Sequence, residues 1–116
     1  MVKTEYPGIS AIPLVCDSPH SGTHYPGDFN YAVDFADLRR CEDTHVEKLW
    51  AAVPAVGGTL VHATFPRSYT DTNRTEFDID VRMIDGVWPG RAEPSQRCLE
   101  LGNGLVFSKT TTLQSI

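Results

Sequence analysis

Apolar and polar positions alternate in different registers along this chain, and each change of register marks a change of element. Ala11 to Asp17 is an apolar run that ends in an acid, the pattern of a strand, with Pro13 tolerable only near its start or at an edge. Ser18 to Asn30 gathers two Gly, two Pro, two His and two Asp or Asn residues, and reads as loop. Asp34 to Cys41 reads as a short helix with Phe35, Leu38 and Cys41 inward. Thr44-His45-Val46-Glu47 fits a capping box, in which the Thr44 hydroxyl takes the Glu47 amide while Glu47 reaches back. Val46, Leu49, Trp50 and Val53 then follow the spacing of one buried helical face. Pro54 breaks that pattern, leaving a final irregular turn to Val56, and Gly57-Gly58 closes it. Thr59 to Phe65 is a β-rich run of strand length, ended by Pro66.

Strand, helices, then strand with a crossover of this length predict a βαβ unit and a parallel sheet, hence an α/β class. In open sheets of that class, ligands bind beyond the carboxyl ends of the strands. His20 lies at such an end, in Asp17-Ser18-Pro19-His20-Ser21-Gly22, and the polar loop Arg67 to Arg74 leaves the second strand on the same edge. The last third is less regular. Phe77-Asp78-Ile79-Asp80 alternates apolar and acidic residues, Val87 to Gly90 is a turn with an aromatic anchor, and Ser95 to Leu101 suits a short helix. Gly102-Asn103-Gly104 is a turn, after which Leu105-Val106-Phe107 is expected to open another strand.

Composition narrows the classes. A chain of 116 residues makes one small domain, and 41% hydrophobic with 22% charged content is ordinary for a globular protein. The net charge of -5 argues against a nucleic-acid partner, because Arg39-Arg40 is the one basic doublet and suits a solvated helix face. No apolar run approaches the ~18–20 residues that span a bilayer, so no membrane partner is expected. Met1 to Pro7 carries an acid and a proline where a signal peptide needs apolar residues, which predicts a cytoplasmic location. Cys16, Cys41 and Cys98 are odd in number and lack close pairing, so buried thiols are expected and not a disulfide framework or a cysteine-rich zinc site.

Three groups can converge at the sheet edge: Asp17 with His20, then Glu42-Asp43, then Arg67 with Asp71-Thr72-Asn73-Arg74. Imidazole, carboxylate and guanidinium are the parts of a metal-assisted hydrolase acting on an anionic substrate. Plainer roles compete with that reading. Asp43 suits a helix cap, His24 and His45 suit exposed positions, and His62 suits a hydrogen-bonded residue in mid-strand.

These residues resemble a known family. Pro13 to Thr23, with Tyr25-Pro26 and Asp28-Phe29, resembles the opening of the N-formylglutamate amidohydrolases, also called N-formylglutamate deformylases. Asp43 to Leu49 is similar to the family's second block, and Arg67 to Arg74 to its Arg-aromatic…Asp-x-Asn-Arg block. Asp78 to Asp80, Ile84 to Gly90 and Leu101 to Leu105 continue in the family's order, so the likeness runs over about residues 12 to 107. Thr70, Thr72 and Asn103 depart from it, standing where the family usually has apolar residues.

The resemblance implies a three-layer α/β/α fold with a mostly parallel sheet, of the zinc-exopeptidase, phosphorylase/hydrolase-like type. It implies hydrolysis of N-formyl-L-glutamate to formate and L-glutamate, a step in histidine degradation. It implies zinc held by His20 and Asp43, with Glu42 the adjacent alternative. It implies substrate-binding roles for Asn73 and Arg74, with Arg67 a candidate for a second carboxylate. A guanidinium grips a carboxylate through two parallel hydrogen bonds, which agrees with that role. Family members are well over twice as long. Residues 1–116 are therefore expected to be an N-terminal portion, with the third zinc ligand and the general base in an absent C-terminal portion. Such a fragment is expected to turn over little or no substrate and to self-associate. A non-catalytic anion-binding remnant, or an amidohydrolase for another N-acyl amino acid, would keep the same residues.

Overall fold

The strand that starts the sheet is one the apolar pattern passes over. The computed structural model describes all residues from Met1 to Ile116. In it, β1 (Val2–Glu5), β2 (Val15–Ser18) and β3 (Thr59–Ala63) form one three-stranded sheet in the order β1-β3-β2. β2 and β3 run parallel, with Cys16 opposite Leu60 and Ser18 opposite His62. Their crossover carries α1 (Phe35–Arg39) and α2 (Val46–Leu49), so the expected βαβ unit is present. β1 lies on the other side of β3 and runs antiparallel, with Lys3 opposite His62. The expectation of a mostly parallel sheet is thereby corrected to a mixed one. An antiparallel edge strand needs no helical crossover, and the polar run Val2-Lys3-Thr4-Glu5 suits an edge. His62 is the hydrogen-bonded strand residue expected, with Nε2 3.4 Å from Glu5 Oε1.

Strand alternation gives the two sheet faces different fates. Leu60 and Ser18 are buried on one face. On the other, Val2, Val15, Asp17, Val61 and Ala63 line an open groove of about 350 Å³ with Thr72. Val15 is 69% exposed there. Asp17 belongs to this open face and makes no hydrogen bond to His20, which removes it from the expected convergence.

α1 begins where the sequence places it: the Asp34 side chain accepts from the Ala36 amide at 2.9 Å, and Leu38 is fully buried. Phe35 does not enter the core. It packs edge-on against Tyr25, 5.0 Å between ring centres, in an aromatic cluster with Tyr31 and Phe29. The capping box does not form. His45 is the residue at the start of α2, in the left-handed region at φ 70°, and no side chain caps the helix. The cause lies two residues earlier: the Asp43 amide donates to the His20 carbonyl at 3.2 Å. The chain must reach His20 before it turns, and that tether overrides the local cap. α2 is a single turn, followed by a 3-10 turn at Pro54–Val56 that Gly57 ends at φ 93°. The predicted buried face reduces to Val53, because Leu49 is 80% exposed.

In the last third, α3 (Gln96–Leu101) starts at Ser95, whose hydroxyl accepts from the Cys98 amide at 3.2 Å. The expected strand at Leu105 to Phe107 is a strap instead, with one isolated bridge between Asn103 and Phe107. The Leu105 amide donates to the Asp78 carbonyl at 2.7 Å, and its own carbonyl accepts from the Asp71 amide at 2.8 Å. Both backbone groups of Leu105 are thereby spent outside any strand ladder. No helix is long and apolar enough to cross a membrane.

Candidate active site

Loop chemistry brings the polar side chains together. β2 stops at Ser18, which is buried and shares a 2.8 Å hydrogen bond with the Ser21 hydroxyl. That pair closes the turn on which His20 stands. Gly22 then crosses the exit of β3 so closely that a Cβ would collide with the backbone of Thr64 and Phe65. The next contact is the His24 amide donating to the Thr64 carbonyl at 2.8 Å. On the other strand, Pro66 ends β3 and the chain enters the loop carrying Arg67, Asp71, Asn73 and Arg74. Asp71 organises that loop by accepting the Asn73 amide at 2.9 Å, an Asx turn.

Four of these side chains form a closed ring. His20 Nδ1 faces Asp43 Oδ2 at 3.1 Å, and His20 Nε2 faces Asp71 Oδ1 at 2.7 Å. Arg67 completes the circuit, donating from Nη1 to Asp43 Oδ2 at 3.2 Å and from Nη2 to Asp71 Oδ2 at 2.9 Å. The Arg67 guanidinium lies 5.4 Å from the ring centre of Phe107, which is buried. Its Nε is buried with no acceptor, so every hydrogen bond it makes goes to the two carboxylates.

The two acids differ in environment. Asp71 is fully buried, while the Asp43 side chain is 49% exposed and forms the open side of the ring. Burial works against ionisation of Asp71. Hydrogen bonds from His20, Arg67 and the Asn73 amide outweigh it and hold the carboxyl at about 2. Glu42 is committed elsewhere: Tyr25 donates to Oε1 at 2.6 Å and the Arg39 Nη2 to Oε2 at 3.3 Å. Burial, then the Glu42 carboxylate, push the Tyr25 phenol far above its ordinary range. Of the two adjacent acids, Asp43 is therefore the one beside His20. Burial also raises the thiols of Cys41 and Cys98, favouring their protonated form.

Arg74 stands at the rim. Its Nε donates to the Asn103 carbonyl at 3.2 Å and its Nη1 to the Asn73 carbonyl at 3.0 Å, while Nη2 lies 3.9 Å from Asp71 Oδ2. The Asn73 side chain is exposed and makes no hydrogen bond within the chain. Of the expected site residues, His20, Asp43 and Arg67 meet directly, Arg74 approaches through Asp71, and Asn73 adjoins it. Asp71 is part of the expected convergence but with no role of its own; Phe107 and the Asn103 carbonyl are not expected there. Only Asp71 had a local signal, the Asp-x-Asn pattern of an Asx turn.

The His20–Asp43 pair suits a metal. Imidazole nitrogen and carboxylate oxygen are zinc donors, and two ligands of one tetrahedral zinc lie about 3.3 Å apart. The observed 3.1 Å is close to that. Asp71 fixes the far ring nitrogen, as carboxylates behind metal-binding histidines do. The pair supplies two donors, and no group of three His, Cys, Asp or Glu side chains is arranged to hold a metal ion.

Imidazole, carboxylate and guanidinium thus meet beyond the parallel strands of a small α/β scaffold. The chain belongs to the N-formylglutamate amidohydrolase family, whose model matches residues 12–115. It is also similar to the crystal structure, at 2.00 Å resolution, of N-formylglutamate amidohydrolase from Ralstonia eutropha JMP134, with 52% identity and a TM-score of 0.89. That match covers 93% of this chain and 38% of the Ralstonia chain. No curated protein matches.

Proposed function

We propose that this chain is the N-terminal, metal- and anion-holding portion of a zinc-dependent N-formylglutamate amidohydrolase of three-layer α/β/α build. The reaction is hydrolysis of N-formyl-L-glutamate to formate and L-glutamate, a cytoplasmic step of histidine degradation. The observation that carries the reading is His20 Nδ1 beside Asp43 Oδ2 at 3.1 Å, with the other ring nitrogen already bound by Asp71. His20 and Asp43 would hold zinc, which would supply Lewis acidity toward the formyl carbonyl and lower the pKa of a water towards ~7.

The chain's own residues do the rest of the positioning. Asp71 is ionised throughout the physiological range and orients the His20 ring so that Nδ1 faces outward to Asp43. Arg74, steadied by the Asn73 and Asn103 carbonyls, presents a guanidinium edge to a substrate carboxylate, and the free amide of Asn73 adds a donor. A grip by Arg67 on the second carboxylate requires one of its present acid contacts to open. A third zinc ligand and a general base are assigned to the portion of the family fold outside this chain, so turnover by residues 1–116 is expected to be slight.

The test is binding. His20→Ala should lower zinc affinity at least ~100-fold by removing one of two donors. Normal zinc occupancy in that variant overturns the assignment. Arg74→Lys keeps the charge but loses the fork, and should weaken N-formyl-L-glutamate binding by ~10–100-fold in a calorimetric titration. Wild-type affinity in that variant moves the carboxylate site elsewhere.

A further inference from the structure

Asp43 Oδ2 has two suitors. It faces His20 Nδ1 at 3.1 Å, and it accepts Arg67 Nη1 at 3.2 Å. A divalent cation held by His20 and Asp43 needs that oxygen's electron density. A guanidinium hydrogen-bonded to the same atom draws on it and adds a positive charge beside the cation. Arg67 also has somewhere to remain when it lets go. Its Nη2 stays on Asp71 Oδ2 at 2.9 Å, and its plane lies near the Phe107 ring. Asp71 is fully buried and Asp43 is half exposed, so the Asp71 contact is the anchor and the Asp43 contact is the one that yields.

We infer that Arg67 and a divalent cation compete for Asp43 Oδ2, so that Arg67 sets how tightly the site binds its metal. The inference rests on the zinc reading above and goes beyond it. Arg67 is an internal counter-ion that ties the two carboxylates together and raises the concentration at which a cation displaces it from one of them. The opposite role, in which Arg67 only props up the ring, predicts the opposite sign: without the prop, metal binding should weaken.

The experiment titrates zinc into the full chain against a chromophoric chelator, comparing wild type, Arg67→Gln and Arg67→Lys, with melting temperatures read in excess chelator. Arg67→Gln should bind zinc about tenfold more tightly, roughly 1.4 kcal/mol, while melting lower in chelator. Arg67→Lys keeps the charge but cannot span two carboxylates, and should fall between the two. Unchanged or weaker zinc binding by Arg67→Gln, with wild-type affinity measurable, overturns the competition and leaves the zinc reading standing. If Arg67→Gln is unfolded in chelator, Arg67→Lys decides by the same criterion. Zinc binding by neither wild type nor either variant overturns both readings. Binding by the variants alone establishes the competition in its strongest form.

Discussion

The loops and strand ends of this chain bury polar side chains, while Leu49 and the outer sheet face expose apolar ones. Asp71, Asp78, Ser18, Ser68 and Thr110 are almost completely buried, while Val15, Leu49 and Val87 stand in solvent. Most of these polar groups survive burial because their bonds are made, the Ser68 hydroxyl and the Arg67 Nε being exceptions. Asp71 satisfies His20, Arg67 and an amide at once, and Asp78 takes both the amide and the hydroxyl of Ser95. The apolar region has no such closure: the groove from Val2 to Val61 is open, lined by strand residues and Thr72. The lesson is that chemistry, more than hydrophobic burial, determines where this chain's loops go. His45 is strained into a left-handed turn so that Asp43 can meet His20.

The sharpest way to break this contrast is to remove its polar centre. Asp71→Ala leaves an imidazole and a guanidinium without their buried partner and should cost about 3–5 kcal/mol in a urea titration, enough to unfold a marginal domain. A loss under about 1 kcal/mol would mean the ring is decoration. Acid tests the same residue without mutation. Its folded pKa of about 2 lies below the ordinary 3.8, so the ionised form is favoured by folding. That contribution is complete above about pH 4 and disappears as pH falls towards 2, costing about 2 kcal/mol in all. Asp71→Asn should flatten this part of the stability profile. The smallest expected effect on stability lies on the apolar side. The wild-type chain should scatter light as more than a monomer or bind a hydrophobic dye. Val15→Thr with Leu49→Glu should reduce both signals while changing stability by no more than ~0.5 kcal/mol. A clean wild-type monomer that binds no dye would show that the open face is no liability.

Much of the fold was legible because its signals are local. The βαβ order, the short helices beginning near Asp34 and Ser95 and the Gly57 stop follow from signals in short stretches of sequence. What was hidden depends on partners far away in sequence. Val2 to Glu5 becomes a strand only because β3 has a free side for it. Leu105 to Phe107 has the composition of a strand, yet Asp71 and Asp78 claim its backbone. The periodic face from Val46 to Val53 looked buried because periodicity reports amphipathicity, not what covers it. At the site, residue types gave three candidate groups and the family resemblance singled out His20, Asp43 and Arg74, but the role of Asp71 follows from three bonds that meet only in space.

The tight crossing at Gly22 has a consequence for synthesis. A ribosome releases this chain from the amino end at ~5–20 residues per second, and the histidine turn emerges well before the strand it must lie against. Until Thr64 is available to accept the His24 amide, nothing pins the turn, and until Asp71 follows, the imidazole has no fixed orientation. The His20 corner is therefore completed only after Asp71 has emerged, although its first residue is among the earliest made. A chain ended at Ala63 should show rapid hydrogen exchange at the His24 amide, and the full chain slow exchange; equal protection in both would mean that the turn forms unaided.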